Sequence, residues 1–357
     1  MYNILELVTA FMISGVVAFL STPIIRRLAV KINAVDSPDE RKKHDGEKAR
    51  IGGLAIILGV AAGLIYLQPQ HPHMTEIIIG GLIIALTGLL DDLICLKPYQ
   101  KLIGQVAAAS VVVSSGLVID KVTMPFFGTV ELTQFGLVLT ILWIVGVTNA
   151  INLIDGLDGL AAGVSAIGLT SILIIAITDY RIIVVYLSIV VVASCLGFLY
   201  HNFYPAKIFM GDTGALFLGY AISVISMLGL FKNVALFSFI IPIIIIAIPI
   251  FDTIFAIIRR MINKQSIGQA DRKHIHYQLI DMGYSHQTAV LIIYAFSGFF
   301  GIMAIIFNSA TMLTSLIIIA LIVLAIQIIA ELSGIVLNGQ QPVLNSLRKL
   351  IGKKQNI

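Results

Sequence analysis

Charge is scarce in this chain. Only 12% of its 357 residues are Asp, Glu, Lys or Arg, 58% are hydrophobic, and the mean hydropathy is +1.00. Soluble domains carry about 25% charged residues. A chain this poor in charge cannot cover a water-facing surface, so a soluble globular enzyme is excluded. Disorder is excluded too, because it needs low hydrophobicity and high net charge. Cysteine is nearly absent. Cys95 and Cys195 are the only two, which leaves no disulfide framework and no thiolate metal cluster. A glycine-rich lysine loop of the nucleotide-hydrolase type is also missing, which argues against a simple ATPase. The short alternating segments of a membrane β-barrel do not occur.

What the chain does have is long apolar runs. About 20 apolar residues cross about 30 Å of hydrocarbon. Candidate spans lie at roughly 3–25, 51–68, 76–90, 102–118, 135–153, 160–177, 182–199, 214–231, 236–257, 288–306 and 312–332. The fold class expected is therefore all-α: a polytopic integral membrane protein of about eleven transmembrane helices. No Lys or Arg precedes Arg26, so the first run reads as a retained helix rather than a cleaved signal. Pro23, Pro242 and Pro249 fall in or at the ends of spans and should kink them.

With eleven spans the termini face opposite sides. Every Lys and Arg except Lys121, Arg181 and Lys232 then falls on one side. The positive-inside bias sets the amino terminus out and the carboxyl terminus in. Cytosolic loops are expected at about 26–50, 91–101, 154–159, 200–213 and 258–287, with a basic tail at 334–357. The outer segment 119–134 should form a small hairpin around Pro125 and Gly128. A single transmembrane domain, residues 1–357, is expected.

The polar residues gather at the inner ends of the spans. Asp91 and Asp92 close the third span. Two adjacent carboxylates at a negative helix end need a cationic partner, and Lys97 and Lys101 lie nearby. Asn149, Asn152, Asp155 and Asp158 recur every third position. Such a row drifts round an unbroken helix, so Gly156 and Gly159 should break it and curl it round a pocket. Polar residues at membrane depth are functional candidates by default. The loop from His201 to Gly214 carries Asn202, Lys207, Phe209 and Asp212; helix capping and metal binding compete for Asp212. Arg272, His274 and His276 suit phosphate contact or proton transfer. Asp252, inside a span, needs a partner; Arg259 and a substrate hydroxyl both qualify. Segment 36–50 reads equally as the positive-inside signal and as a trap for a polyanion.

Carboxylates thus reach one membrane face from four places, and basic groups from 41–50, 101, 207 and 272–276. Hard carboxylate oxygens suit Mg²⁺ shared with substrate phosphates. Together with Lys and Arg they are the equipment of phosphoryl transfer. A secondary transporter or lipid flippase would instead need polar groups deep in several spans and reachable from both sides.

Asp91-Asp92, the run from Asn149 to Leu160, Phe209-Met-Gly-Asp212-Thr-Gly and His274-Ile-His276 resemble, in order, the polyprenyl-phosphate N-acetylhexosamine-1-phosphate transferases. The likeness extends from about 23 to 286. Ile275 between the two histidines resembles the UDP-GlcNAc branch, its teichoic-acid members above all. The phospho-MurNAc-pentapeptide translocases of peptidoglycan synthesis, the alternative branch, carry three consecutive histidines. The resemblance implies transfer of GlcNAc-1-phosphate from UDP-GlcNAc to undecaprenyl phosphate, releasing UMP, at the cytosolic face of a bacterial plasma membrane. It implies Mg²⁺, with Mn²⁺ as a substitute, on Asp212 and Asp91. It implies catalytic roles for Asp91, Asp92, Lys101 and His274. It implies substrate binding by Asn152, Asp155, Asp158, Asn202, Phe209, Asp252, Arg272 and His276. The implied partners are UDP-GlcNAc, undecaprenyl phosphate and the lipid bilayer. A homodimer and downstream glycosyltransferases are left open as protein partners, and nucleic acid is not expected.

Overall fold

Inside hydrocarbon every backbone amide must be paired within the chain, which leaves helices as the solution for long apolar runs. The computed structural model describes residues 3–36, 48–124, 128–230, 240–265 and 273–332. Among the described residues there are thirteen helices. They are α1 (Ile4–Lys31), α2 (Gly53–Leu67), α3 (Met74–Ile94), α4 (Pro98–Ser114), α5 (Gln134–Ile154), α6 (Leu160–Thr178) and α7 (Ile182–Asn202). Then come α8 (Gly211–Leu230), α9 (Ile240–Ile245), α10 (Ala247–Ile262), α11 (Ile275–Asp281), α12 (His286–Asn308) and α13 (Met312–Leu332). Eight of them, α1, α3, α5, α6, α7, α8, α12 and α13, are long and apolar enough to cross a membrane. The protein is a polytopic helical membrane protein.

The other expected spans are shorter or broken. α2 has 15 residues and α4 has 17. The run expected at 236–257 is split at Ile246 into α9 and α10, and its first four residues lie outside the described ones. Pro249 lacks the amide proton that would bond the carbonyl of Ile245, so the helical ladder fails at that point. The expected hairpin is present: β3 (Lys121–Met124) pairs antiparallel with β4 (Gly128–Glu131), Lys121 opposite Glu131. Pro125 lies outside the described residues.

α8 is the most enclosed of the eight long helices. It packs against α3 and α5 and also touches α2, α6 and α7. α1 and α13 are the least enclosed and turn residues such as Leu5, Ile24 and Leu313 outward. α1 packs along α7 and α2. A side chain at Gly197 would come 2.2 Å from the Gly15 carbonyl, so the two backbones are held in direct contact.

A short ribbon ties down the polar end of the bundle. β1 (Val35–Asp36) pairs antiparallel with β2 (Lys48–Ala49). From there the chain runs beside the segment before α8. The Phe209 amide donates to the Ala49 carbonyl (2.8 Å), the Gly52 amide to the Phe209 carbonyl (3.0 Å), and the Gly53 amide to the Met210 carbonyl (2.8 Å). This pairing places Lys48 and Arg50 over the start of α8.

Candidate active site

The site is built where the polar ends of α3, α4, α5 and α8 meet. Asp91 and Asp92 are neighbours on α3, and consecutive helical residues point about 100° apart. They accordingly do different things. Asp91 turns toward α4, where its carboxylate meets the Lys101 ammonium at 2.8 Å; its other oxygen accepts the Leu96 amide at 2.8 Å. Asp92 turns toward α8. Its two oxygens accept the Asp212 amide (2.9 Å), the Thr213 amide (2.9 Å) and the Thr213 hydroxyl (2.6 Å). Those amides belong to the first turn of α8, which has no helical acceptors for them. Asp92 is therefore a cap supplied from another helix, and Arg50 approaches it at 3.9 Å.

Gly211 makes that contact possible. Its φ is +72°, and a Cβ there would lie 2.1 Å from the Arg50 carbonyl and 2.5 Å from the Asp92 carboxylate. With the chain turned this way, Asp212 points back to Lys101 and Asn152. The Lys101 ammonium donates to the Asp212 carboxylate, and the Asn152 amide donates to the same Asp212 oxygen at 2.5 Å. Lys101 also reaches the Asn152 side-chain oxygen at 3.3 Å. One ammonium, from α4, thus sits between two carboxylates and an amide drawn from three other helices.

The row on α5 is interrupted as the glycines require. α5 ends at Ile154, and residues 155–159 form a turn in which Gly159 has φ +80°. Asp155 stands in this turn. Burial first, and then the carboxylates of Asp212, Asp92 and Asp158, push its acid up to about 8. Asp158 accepts the Ala206 amide at 2.9 Å and has Lys48 at 3.7 Å. The same Lys48 ammonium lies 4.9 Å above the Phe209 ring.

The histidine pair closes the far side of the turn. Asp252 on α10 is buried; one of its oxygens accepts the Ile275 amide (2.9 Å) and the other faces His274 Nδ1 at 2.7 Å. An ionised carboxylate only accepts, so Nδ1 carries the proton and Nε2 is left for other chemistry. His276 stacks parallel to His274 with centroids 5.8 Å apart. It is 1% exposed, and among the described residues neither ring nitrogen has a hydrogen-bond partner. Its Nε2 lies 2.2 Å from where a Cβ of Gly156 would be, so the ring rests on the 155–159 turn. Burial pulls its basicity down to about 4.

Comparison with known proteins shows the family. The glycosyl transferase family 4 model matches residues 74–230, the stretch from α3 to α8 that supplies Asp91, Asp92, Lys101, Asn152 and Asp212. A probable undecaprenyl-phosphate N-acetylglucosaminyl 1-phosphate transferase of Bacillus subtilis (strain 168) is 49% identical over 354 residues, covering 98% of each chain. The chain belongs to the polyprenyl-phosphate N-acetylhexosamine-1-phosphate transferases of glycosyl transferase family 4. A decaprenyl-phosphate N-acetylglucosaminephosphotransferase of Mycolicibacterium smegmatis is 34% identical over 326 residues, 82% of this chain and 80% of its own. An undecaprenyl-phosphate alpha-N-acetylglucosaminyl 1-phosphate transferase of Yersinia pestis is 26% identical over 90% of this chain and 88% of its own.

In this family 4 protein several residues stand elsewhere than the sequence suggested. Asn202, expected beside a base, is 3% exposed; its oxygen accepts the Gly159 amide (3.1 Å) and its nitrogen donates to the Ile208 carbonyl (2.9 Å). It braces two loops, its oxygen and its nitrogen both engaged by protein backbone. Asp252, expected at the substrate, is sealed against His274 and Ile275, because α10 delivers it to the α11 start. Lys207 does not join the acidic cluster; its ammonium lies 5.8 Å over the Tyr200 ring. Asn149 forms paired amide bonds with Gln105 at 2.7 and 3.2 Å, as interhelical glue. Arg272 lies outside the described residues.

Three residues were missed. Lys48 and Arg50 were hidden in a basic segment whose charge had two readings. His286, whose Nε2 accepts the Asp158 amide at 2.9 Å, carries no signal in sequence beyond lying at the edge of the family likeness.

Among the described residues, no three of His, Cys, Asp and Glu form a ready metal cage. The donor chemistry nevertheless suits a hard divalent ion. Asp91 and Asp212 offer carboxylate oxygens on either side of the Lys101 ammonium, and Mg²⁺ ordinarily takes only one or two protein carboxylates, with water and substrate phosphate supplying the rest.

Proposed function

We propose that the protein transfers GlcNAc-1-phosphate from UDP-GlcNAc to undecaprenyl phosphate, as the first membrane step of wall teichoic acid or a related surface polymer. The observation that carries this reading is the Asp91–Lys101–Asp212–Asn152 cluster, gathered from four helices at the edge of an apolar bundle. An oxygen of the lipid phosphate attacks the β-phosphorus of the nucleotide sugar. The bond from that phosphorus to the bridging oxygen breaks, and UMP leaves with the electron pair. The lipid phosphate is already ionised at neutral pH and needs little activation.

Asp212 and Asp91 would hold Mg²⁺, which supplies charge neutralisation across the diphosphate. Lys101 leaves its carboxylate partners for the phosphate oxygens and stabilises the charge that gathers on them. Asp92 keeps α8 at the angle that presents Asp212. Asn152 orients Asp212. Lys48, between Phe209 and Asp158, stands where a nucleotide could be held by charge and by stacking. His274, its ring fixed by Asp252, presents Nε2 as a proton acceptor at the edge of the site. The single domain crosses the plasma membrane eleven times, amino terminus out, with this site facing the cytosol.

The test uses purified full-length protein. It should exchange labelled UMP into UDP-GlcNAc only when lipid phosphate and Mg²⁺ or Mn²⁺ are present. Chelation should abolish exchange, and Asp212→Asn should abolish it in a folded protein. Exchange with UDP-MurNAc-pentapeptide in place of UDP-GlcNAc would overturn the donor assignment, and full activity of Asp212→Asn would overturn the metal site.

A further inference from the structure

A second polar feature involves the 203–210 segment and the polar ends of α1 and α7. A cavity of about 200 Å³ opens between α1 and α7, lined by Thr22, Pro23, Arg26, His201, Lys207 and Ile208. A water in the liquid takes roughly 30 Å³, so the space accommodates a hydrated phosphate group.

The cavity is built from α1 outward. Pro23 cannot donate to the carbonyl four residues earlier, that of Phe19. His201 Nε2 takes that carbonyl instead, at 3.1 Å. Because a carbonyl only accepts, Nε2 carries the proton, and the ring is fixed in the cavity wall. Thr22 turns its hydroxyl to the Ala18 carbonyl at 2.6 Å. The Lys207 amide bonds the His201 carbonyl at 2.9 Å, so the lysine is anchored to the same wall. Arg26 enters from α1. Among the described residues neither Arg26 nor Lys207 makes an ion pair with a carboxylate. Three basic side chains from separate stretches of chain therefore face one space without an internal anion.

The surroundings say what kind of anion fits. On the same face of α1 as Arg26, seven and fourteen residues earlier, Phe19 is 37% and Met12 55% exposed, as side chains against hydrocarbon are. Phe19 and Tyr200 pack edge to face beside the opening, centroids 5.0 Å apart; aromatic pairs of this kind concentrate at the headgroup level. The cavity sits at the depth where apolar surface gives way to cationic surface. Basic pockets between helices at that depth suit lipid headgroups.

We propose that this α1–α7 cavity binds the phosphodiester of an anionic glycerophospholipid, with Arg26 and Lys207 on the phosphate oxygens and the acyl chains along Phe19 and Met12. It is separate from the acidic site and does not depend on the activity proposed for that site.

The test measures lipid retained by the full-length protein in detergent by native mass spectrometry. Phosphatidylglycerol is compared with phosphatidylcholine of the same chains and with inorganic phosphate. The wild type should retain phosphatidylglycerol in preference to phosphatidylcholine. Each cation removed should cost about 5-fold in affinity, and Arg26→Gln with Lys207→Gln roughly 30-fold. Arg27→Gln, next along α1 but outside the cavity lining, should change affinity less than about 2-fold on the same reasoning. Should the double variant not fold, Lys207→Gln alone, at an exposed side chain, carries the test with the 5-fold loss. Equal retention of the two lipids, or an Arg27→Gln loss as large as that of Arg26→Gln, would overturn the site in favour of diffuse surface charge. Displacement of phosphatidylglycerol by millimolar inorganic phosphate would overturn the lipid as its occupant.

Discussion

Replacing Asp252 with Asn tests the histidine geometry most directly. Asp252 is 2% exposed, and its carboxylate holds the Ile275 amide at 2.9 Å and His274 Nδ1 at 2.7 Å. Asn keeps the size and one acceptor oxygen. That oxygen can still take the Ile275 amide, which leaves the side-chain NH₂ facing Nδ1. Two donors cannot bond, so His274 must move its proton to Nε2. A buried hydrogen bond to a charged group contributes about 1.5–3 kcal/mol, and stability should fall by about that amount, a few degrees in Tm. With Nε2 as the proton acceptor in turnover, its loss should lower kcat about 10²–10⁴-fold while KM changes little. Ala at 252 leaves both donors unpaired and should cost more stability, about 3–5 kcal/mol. The assay is UMP exchange beside thermal unfolding of the same preparations. Asp252→Asn with activity within about twofold of wild type in a folded protein would refute the reasoning, because the tautomer would then be irrelevant to turnover.

Other perturbations have different signatures. Asp92→Asn should lower both Tm and activity, because it weakens three bonds to the α8 start; activity loss with unchanged Tm would make Asp92 a reacting group instead. Gly211→Ala forces a Cβ against the Arg50 carbonyl at φ +72° and should destabilise by about 2–4 kcal/mol, read by thermal unfolding. His276 is held neutral down to about pH 4, while an unfolded histidine protonates near 6.5. The unfolded chain binds the extra proton between those values, so the stability from the neutral ring is complete above about pH 6.5 and is lost as pH falls toward about 4, at most about 3 kcal/mol. His276→Phe should flatten that part of the stability–pH curve; an unchanged slope would show that the ring is not buried in solution.

The bundle and its polar end could be read from the sequence because both follow from strong local signals. Long apolar runs mark helices, and Gly156 and Gly159 mark the break after α5 that curls the Asn–Asp row. Orientation of individual side chains could not be read. Asp91 and Asp92 look alike as neighbours, yet a 100° turn sends one to Lys101 and the other to the α8 amides. Asn202 and Asp252 looked like ligand contacts because polar groups at membrane depth need partners. Their partners are protein backbone and His274, supplied by the 155–159 turn, the segment before α8 and the start of α11. Lys48 and Arg50 were obscured for a different reason. A topogenic charge and a site charge are the same residue types, and only the pairing of 48–53 with 209–210 tells them apart.

The contact between Asp92 and α8 has a consequence for how this centre is dissected by mutation. The carboxylate that orients Asp212 does so through two main-chain amides and one hydroxyl, so losing it reorients a neighbour rather than removing a reactant. Turnover measured alone would score that architectural strut as indispensable chemistry. Only a paired reading of fold and rate distinguishes the brace from the tool it holds.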